Sequence, residues 1–311
     1  MLILDTGSNI LRDILTRRFS KSSKPDLIVA SFCDYDGLMY NITNIGNPLD
    51  RNKVMVGIDV TGFKVIMERS DVNVKEYLAK YSYAPFLTES GDGATHDINI
   101  LLDFESDAIK SLSSADQLIS DMADIKYHVF AAYLMPCFKE VFEENPKPLQ
   151  PQLIKIRTDE AIYVRPLADQ VELTYRTKFD DDDDFEIGKV FIQEFSETRV
   201  AGPGVRAFVG KPPNEVADIF SSYDNSRAAY VVISLRQQVI TGEAKQLNAI
   251  KLCLSFRNYL HYHLKCSKAY IHSRMRAQSS HFIKVLNRAL PNEEKGGEKK
   301  TMSGRSFMPQ A

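Results

Sequence analysis

Between Gly242 and Pro291 the chain runs without a glycine or a proline, and this stretch limits the fold more than any other feature. Glycine and proline are the usual punctuation of helices, so their absence predicts a helix over about 243–290. Such a helix holds up to 48 residues and reaches roughly 70 Å at 1.5 Å per residue. That is several times the usual ~11 to 12 residues and longer than a small domain is wide. At 100° per residue, Ile250, Cys253, Leu260, Leu264, Ile271, Met275, Phe282, Val285, Leu286 and Ala289 share one stripe. A single sheet covers only part of it, and leaving the remainder in water forfeits about 1.5 to 3 kcal/mol per side chain. The pattern predicts that another chain covers the rest, docked helix to helix.

The same stretch concentrates positive charge. From Ala244 to Leu290 there are nine Lys or Arg and no Asp or Glu, which leaves 30 of the 39 basic residues to face 41 acidic ones elsewhere. A cationic element on an otherwise acidic chain favours acidic partners. The segment "HYHLKCSKAYIHSRMRAQ", His261 to Gln278, is the densest part. His261 and His263 are two apart, about 200° around a helix, and cannot chelate one ion as an i, i+4 pair does. His263 and Cys266 lack further ligands at helical spacing, so no metal site is expected. The cations are better organised: Lys265, Lys268 and Arg276 fall to one side of the apolar stripe, Arg274 and Arg288 to the other.

The rest of the chain sets the class. At 311 residues there is room for two domains of ordinary size, and no apolar run approaches the ~18 to 20 residues of a membrane span, so no membrane insertion is expected. The start lacks the pattern of a secretory signal, and Cys33, Cys137, Cys253 and Cys266 lie far apart, which points to reduced thiols in a cytosolic protein. "NILRDILTRRF" has helical spacing, "DLIVASFCDYDGLMYNIT" reads as strand, Asp36-Gly37 turn and strand, and "NKVMVGIDV" and "HDINILLDFE" continue the alternation. A short helix is expected near Val74 to Lys80, and a longer one from about Ser114 to Glu143, kinked or broken before Pro136. "NPKPLQPQ" is the linker candidate. Strands follow at "EAIYVRP", "DQVELTYRTKF", "FEIGKVFIQEF" and "AAYVVISL". The expected fold is α+β: two related domains of mainly antiparallel sheet flanked by helices, at 1–145 and 152–291, then a flexible tail at 292–311.

Catalytic chemistry is thin. Asp180 to Asp184 reads as a hairpin loop of hydrated carboxylates, because adjacent residues do not converge on a cation as the alternate positions of a calcium loop do. No nucleophile elbow, P-loop or dinucleotide fingerprint occurs, so neither an enzyme nor a cofactor is expected.

"FCDYDGLMYNIT", "FDDDDDFEIGKVFIQEF" and above all "FRNYLHYHLKCSKAYIHSRMRA" followed by "FIKVLNRALPNEEK" resemble the 34-kilodalton-class subunit family of the actin-related protein 2/3 complex. The resemblance implies a non-catalytic scaffold whose long helix packs on that of subunit 4 within a seven-subunit assembly. It also implies contact with the side of an existing actin filament, from which a branch grows, and residence in the cytoplasmic actin cytoskeleton: cortex, leading edge or actin patches. Joined to the helix pattern, it nominates Lys265, Lys268, Arg274, Arg276, Lys284 and Arg288 for the filament and Leu260, Leu264, Ile271, Met275 and Phe282 for the subunit interface. The competing reading is a nucleic-acid-binding protein that uses the basic helix, with Tyr259, Tyr262 and Tyr270 as stacking groups.

Overall fold

The computed structural model describes residues 7–20, 27–33, 38–46, 51–68, 73–88, 96–142, 150–197, 204–238, 240–289, 299–300 and 306–307. The chain divides into two compact units, Met1–Leu264 and Lys265–Ala311.

The first half of the first unit holds α1 (Asn9–Phe19), β1 (Val29–Cys33), β2 (Met39–Asn44), β3 (Lys53–Asp59), the short helices α2 (Phe63–Met67) and α3 (Val74–Leu78), β4 (Ile98–Asp103), α4 (Asp107–Lys110), α5 (Asp116–Ala123) and α6 (Ile125–Val141). The four strands pair antiparallel in sequence order. The ladder between β1 and β2 ends at Cys33↔Met39, so the expected hairpin forms, while Asp36 and Gly37 lie outside the described residues. Helix α1 begins where the Ser8 hydroxyl accepts the Leu11 N–H, and it buries Leu11 and Leu15, four apart, on one face.

The helix expected from Ser114 to Glu143 is two helices, and the break falls at Asp124 rather than before Pro136. Pro136 lies inside α6, where it removes one main-chain hydrogen bond without ending the helix. Asp124 leaves helical geometry instead, and its carboxylate meets Arg12 of α1 at 3.4 Å. From Ile125 to Leu134 every residue of α6 is buried, as for a helix with packing on all sides. It packs against α3 and β7, and one hydrophobic cluster runs through both halves of the unit.

The second half holds β5 (Gln152–Arg157), β6 (Glu160–Pro166), β7 (Gln170–Lys178), α7 (Asp182–Glu197), β8 (Val205–Val209), β9 (Ala228–Arg236) and the start of α8 (Glu243–Ala289). The strands form an antiparallel sheet in the order β5-β6-β7-β9-β8. "FEIGKVFIQEF", expected as a strand, is helix α7, and the acidic run is its N-terminus rather than a hairpin loop. Three carboxylates, Asp182 to Asp184, occupy the first turn, where the helix dipole favours negative charge. The Asp181 carboxylate accepts the Asp184 N–H at 2.6 Å, the geometry of an N-cap. Ile187 and Phe191 recur four apart, Phe185 and Ile192 seven apart, both helical intervals. Gly188 fits the helix because a Cβ there would sit 2.5 Å from the ring of buried Phe179.

The second unit contains α8 from Lys265 onward and a two-rung antiparallel pair, β10 (Lys299–Lys300) and β11 (Ser306–Phe307), within the tail expected to be flexible.

The N-cap makes the acidic run a stabilising element. Asp181→Ala is expected to cost about 1 kcal/mol, seen as a fall of a few degrees in Tm by calorimetry. Asp181→Ser, which keeps an acceptor, retains most of that stability.

Candidate functional site

The final helix spans Glu243–Ala289, within a residue of its sequence-derived bounds, and it changes character at Leu264. Up to that residue it belongs to the core. Ile250, Cys253, Leu254, Phe256, Leu260 and Leu264 are buried, and the Phe256 ring tilts against Tyr175 with centroids 5.8 Å apart. Burial pushes the Cys253 thiol up to about 12, so it is an inert hydrophobe rather than a nucleophile.

Two desolvated carboxylates fix this part of α8. Lys251 Nζ lies 2.6 Å from Asp124, the residue that separates α5 from α6. Glu160, at the start of β6, pairs with the Arg257 guanidinium through both oxygens, and His261 Nε2 lies 3.3 Å from its Oε1. Burial raises the Glu160 pKa, but contact with His261 and Arg257 outweighs it and holds the carboxyl down at about 2. The opening histidines of the basic segment therefore have structural roles: His261 faces Glu160, and His263 stacks on Phe191 and meets the edge of Tyr259. Among the described residues no group of three His, Cys, Asp or Glu could hold a metal ion.

Beyond Leu264 the helix carries a different surface. From Lys265 to Ala289 every residue is exposed except Lys268, which is half-buried. Ile271, Met275, Phe282, Val285 and Leu286 are among the exposed apolar side chains, with Met275 and Phe282 each 62% accessible. Leu264, Ile271 and Val285 repeat at intervals of seven or fourteen, and Met275, Phe282 and Ala289 at seven, interleaved by steps of four and three. That is the spacing of a heptad seam.

The nominated residues thus divide. Leu260 and Leu264, expected at a subunit interface, are 1% and 2% exposed in this chain's own core and leave nothing for a partner. Ile271, Met275 and Phe282 are open. Of the nine cations, Lys251 and Arg257 are spent on internal carboxylates, whereas Arg274, Arg276, Lys284 and Arg288 are exposed. Lys265 is exposed as well, but Lys268 falls within about 20° of the seam by helical geometry rather than beside it. The three tyrosines form no stacking ladder: Tyr259 lies against Phe191, Tyr262 meets the His263 ring edge-on, and only Tyr270 is exposed, 5.8 Å from the Arg274 guanidinium carbon. Sequence periodicity could not separate the buried from the exposed part of one continuous stripe, nor the cations held by internal carboxylates from the exposed ones.

A helix whose own core ends at Leu264 while its apolar seam continues has the surface of a docking subunit. The sequence matches the family described as "Arp2/3 complex, 34 kD subunit p34-Arc" over residues 58–293. It is 30% identical to "Actin-related protein 2/3 complex subunit 2" of Schizosaccharomyces pombe, with 99% of each chain covered. It is 29% identical to the Dictyostelium discoideum protein of the same name, again with 99% of each covered. The chain belongs to the p34-Arc family.

Buried ionisable groups give the sheet-bearing unit a pH signature. Burial lowers the pKa of His128 to about 4, with Tyr83 Oη 3.1 Å from its Nδ1. Its folded pKa is below the ordinary 6.5, so its contribution is full above pH 6.5 and is lost as pH falls toward 4. Glu160 has the same sign in a lower window, full above 4.5 and lost toward 2. Each shift corresponds to about 3 kcal/mol at most. Chemical unfolding across this range is expected to show stability falling from pH 6.5 downward, with the upper part of the decline absent in His128→Gln. Glu160→Gln is expected to lower stability at neutral pH, because Arg257 and His261 lose the carboxylate they face.

Proposed function

We propose that the chain is a non-catalytic scaffold subunit of the Arp2/3 complex that takes part in branched actin nucleation in the cytoplasmic actin cytoskeleton. Its two modules, 1–145 and 152–291, present the long helix, and the seam at Ile271, Met275 and Phe282 packs along the helix of subunit 4. The observation that carries this reading is the exposed heptad seam beyond Leu264, which in water forfeits about 1.5 to 3 kcal/mol per large side chain. A partner helix removes that cost. The exposed cations Lys265, Arg274, Arg276, Lys284 and Arg288 then meet the acidic side of the mother filament. Their unmixed sign over this stretch supports an anionic partner, since solvated helix faces usually carry both signs.

Met275→Glu with Phe282→Glu is expected to abolish co-purification with subunit 4 while the sheet-bearing unit keeps its circular dichroism. Normal assembly of that double variant would overturn the helix pairing. Reversing Arg274, Arg276, Lys284 and Arg288 together is expected to leave assembly intact and weaken filament co-sedimentation. Each exposed contact is worth about 0.2 to 1 kcal/mol, so single reversals have small effects. Added salt should reproduce the loss. Filament binding unchanged in the assembled quadruple variant would remove the filament role from this face, and nuclease-sensitive recovery of the complex would favour the nucleic-acid reading.

A further inference from the structure

The free edge of the first sheet carries an opening unrelated to the long helix. Among the described residues, strand β1 is an edge strand, paired only with β2. The Asn44 N–H donates to the Ile28 carbonyl, and pairing alternates along an antiparallel ladder, so Ala30 and Phe32 turn their main-chain groups to β2. Those of Val29 and Ser31 point outward. Natural edges are usually blunted by lysine, proline or a bulge, yet "VASFC" has no charge and no proline and pairs with β2 in continuous register. Val29 is 73% exposed and Leu27 58%.

A groove of about 700 Å³ runs beside this edge, between the end of α1 and the segment around α4. Phe19, Phe104 and Leu112 line it, and its charged lining residues are Arg17, Arg18 and Lys110, with no Asp or Glu. Arg18 is engaged by the Arg51 carbonyl and the Phe104 ring. Arg17 and Lys110 are exposed and have no ion-pair partner among the described residues. The C-terminal dipole of α1 offsets about half a charge, which leaves the groove positive.

We propose that the β1 edge and this groove form a docking rail for an extended segment of a partner chain in which apolar and acidic side chains alternate. Main-chain hydrogen bonds to Val29 and Ser31 would supply the pairing, and the period of two in a strand would send the carboxylates toward Arg17 and Lys110. This proposal is independent of the role given to the long helix.

The test uses the purified assembly containing the full chain and a capped decapeptide of alternating valine and glutamate. Hydrogen exchange of the Val29 and Ser31 amides is read with and without peptide, and binding by fluorescence anisotropy of a labelled copy. The peptide is expected to slow exchange at both amides, and its affinity to fall at least about tenfold, or 1.4 kcal/mol, in Arg17→Glu with Lys110→Glu and in Ser31→Pro. Proline is tolerated at Ser31 because its N–H faces away from β2. Amides already protected in the assembly and released by the same substitutions would equally support a resident partner segment. Unprotected amides that the peptide leaves unchanged would overturn the proposal. So would equal binding of a peptide with prolines at its central valines, which signals charge attraction alone, or protection that rises with the concentration of the chain itself, which signals a second copy.

Discussion

Two carboxylates withdrawn from water, Asp124 and Glu160, determine how the last helix joins the rest of the protein. Asp124 meets Arg12 of α1 and Lys251 of α8, and Glu160 meets Arg257 and His261 two turns further along the same helix. Hydrophobic burial drives association but tolerates sliding, whereas a desolvated ion pair permits one register, because a shift leaves a charge buried alone. The helix therefore enters the core with a defined phase.

Sequence pattern was most reliable where it was longest. The bounds of α8 follow from Gly242 and Pro291, and α1 and the β1–β2 hairpin follow from their own periodicities. Short apolar runs were ambiguous. "FEIGKVFIQEF" fits either period, and what decides for helix is the preceding carboxylates, which cap and charge its first turn. Proline misled at 136, where helix continuity survives a missing N–H, while the real break at Asp124 depends on partners 112 and 127 residues away in sequence. The candidate site shows the same division. The exposed seam residues and cations were readable as a face of a helix, but which members face inward depends on where the core ends, and only the fold gives that.

The exposed stretch thus carries two kinds of side chain along one element. In the proposed role, apolar side chains at heptad spacing would supply affinity without direction, and the cations flanking them attraction over distance without much affinity. Membership of the p34-Arc family, described as a subunit of the Arp2/3 complex, sets this surface among other subunits.

The burial of α6 from Ile125 to Leu134 has a consequence for the chain as a mechanical and evolutionary unit. A helix covered on every side is a shared wall, and neither half can be removed without flooding the other with water. The two sheets share one hydrophobic cluster through α6, which couples the unfolding of the two halves. Recombination that exchanged either half alone would have to rebuild the packing on the opposite side of α6, so inheritance of the two halves is coupled by physics rather than by chain connectivity alone.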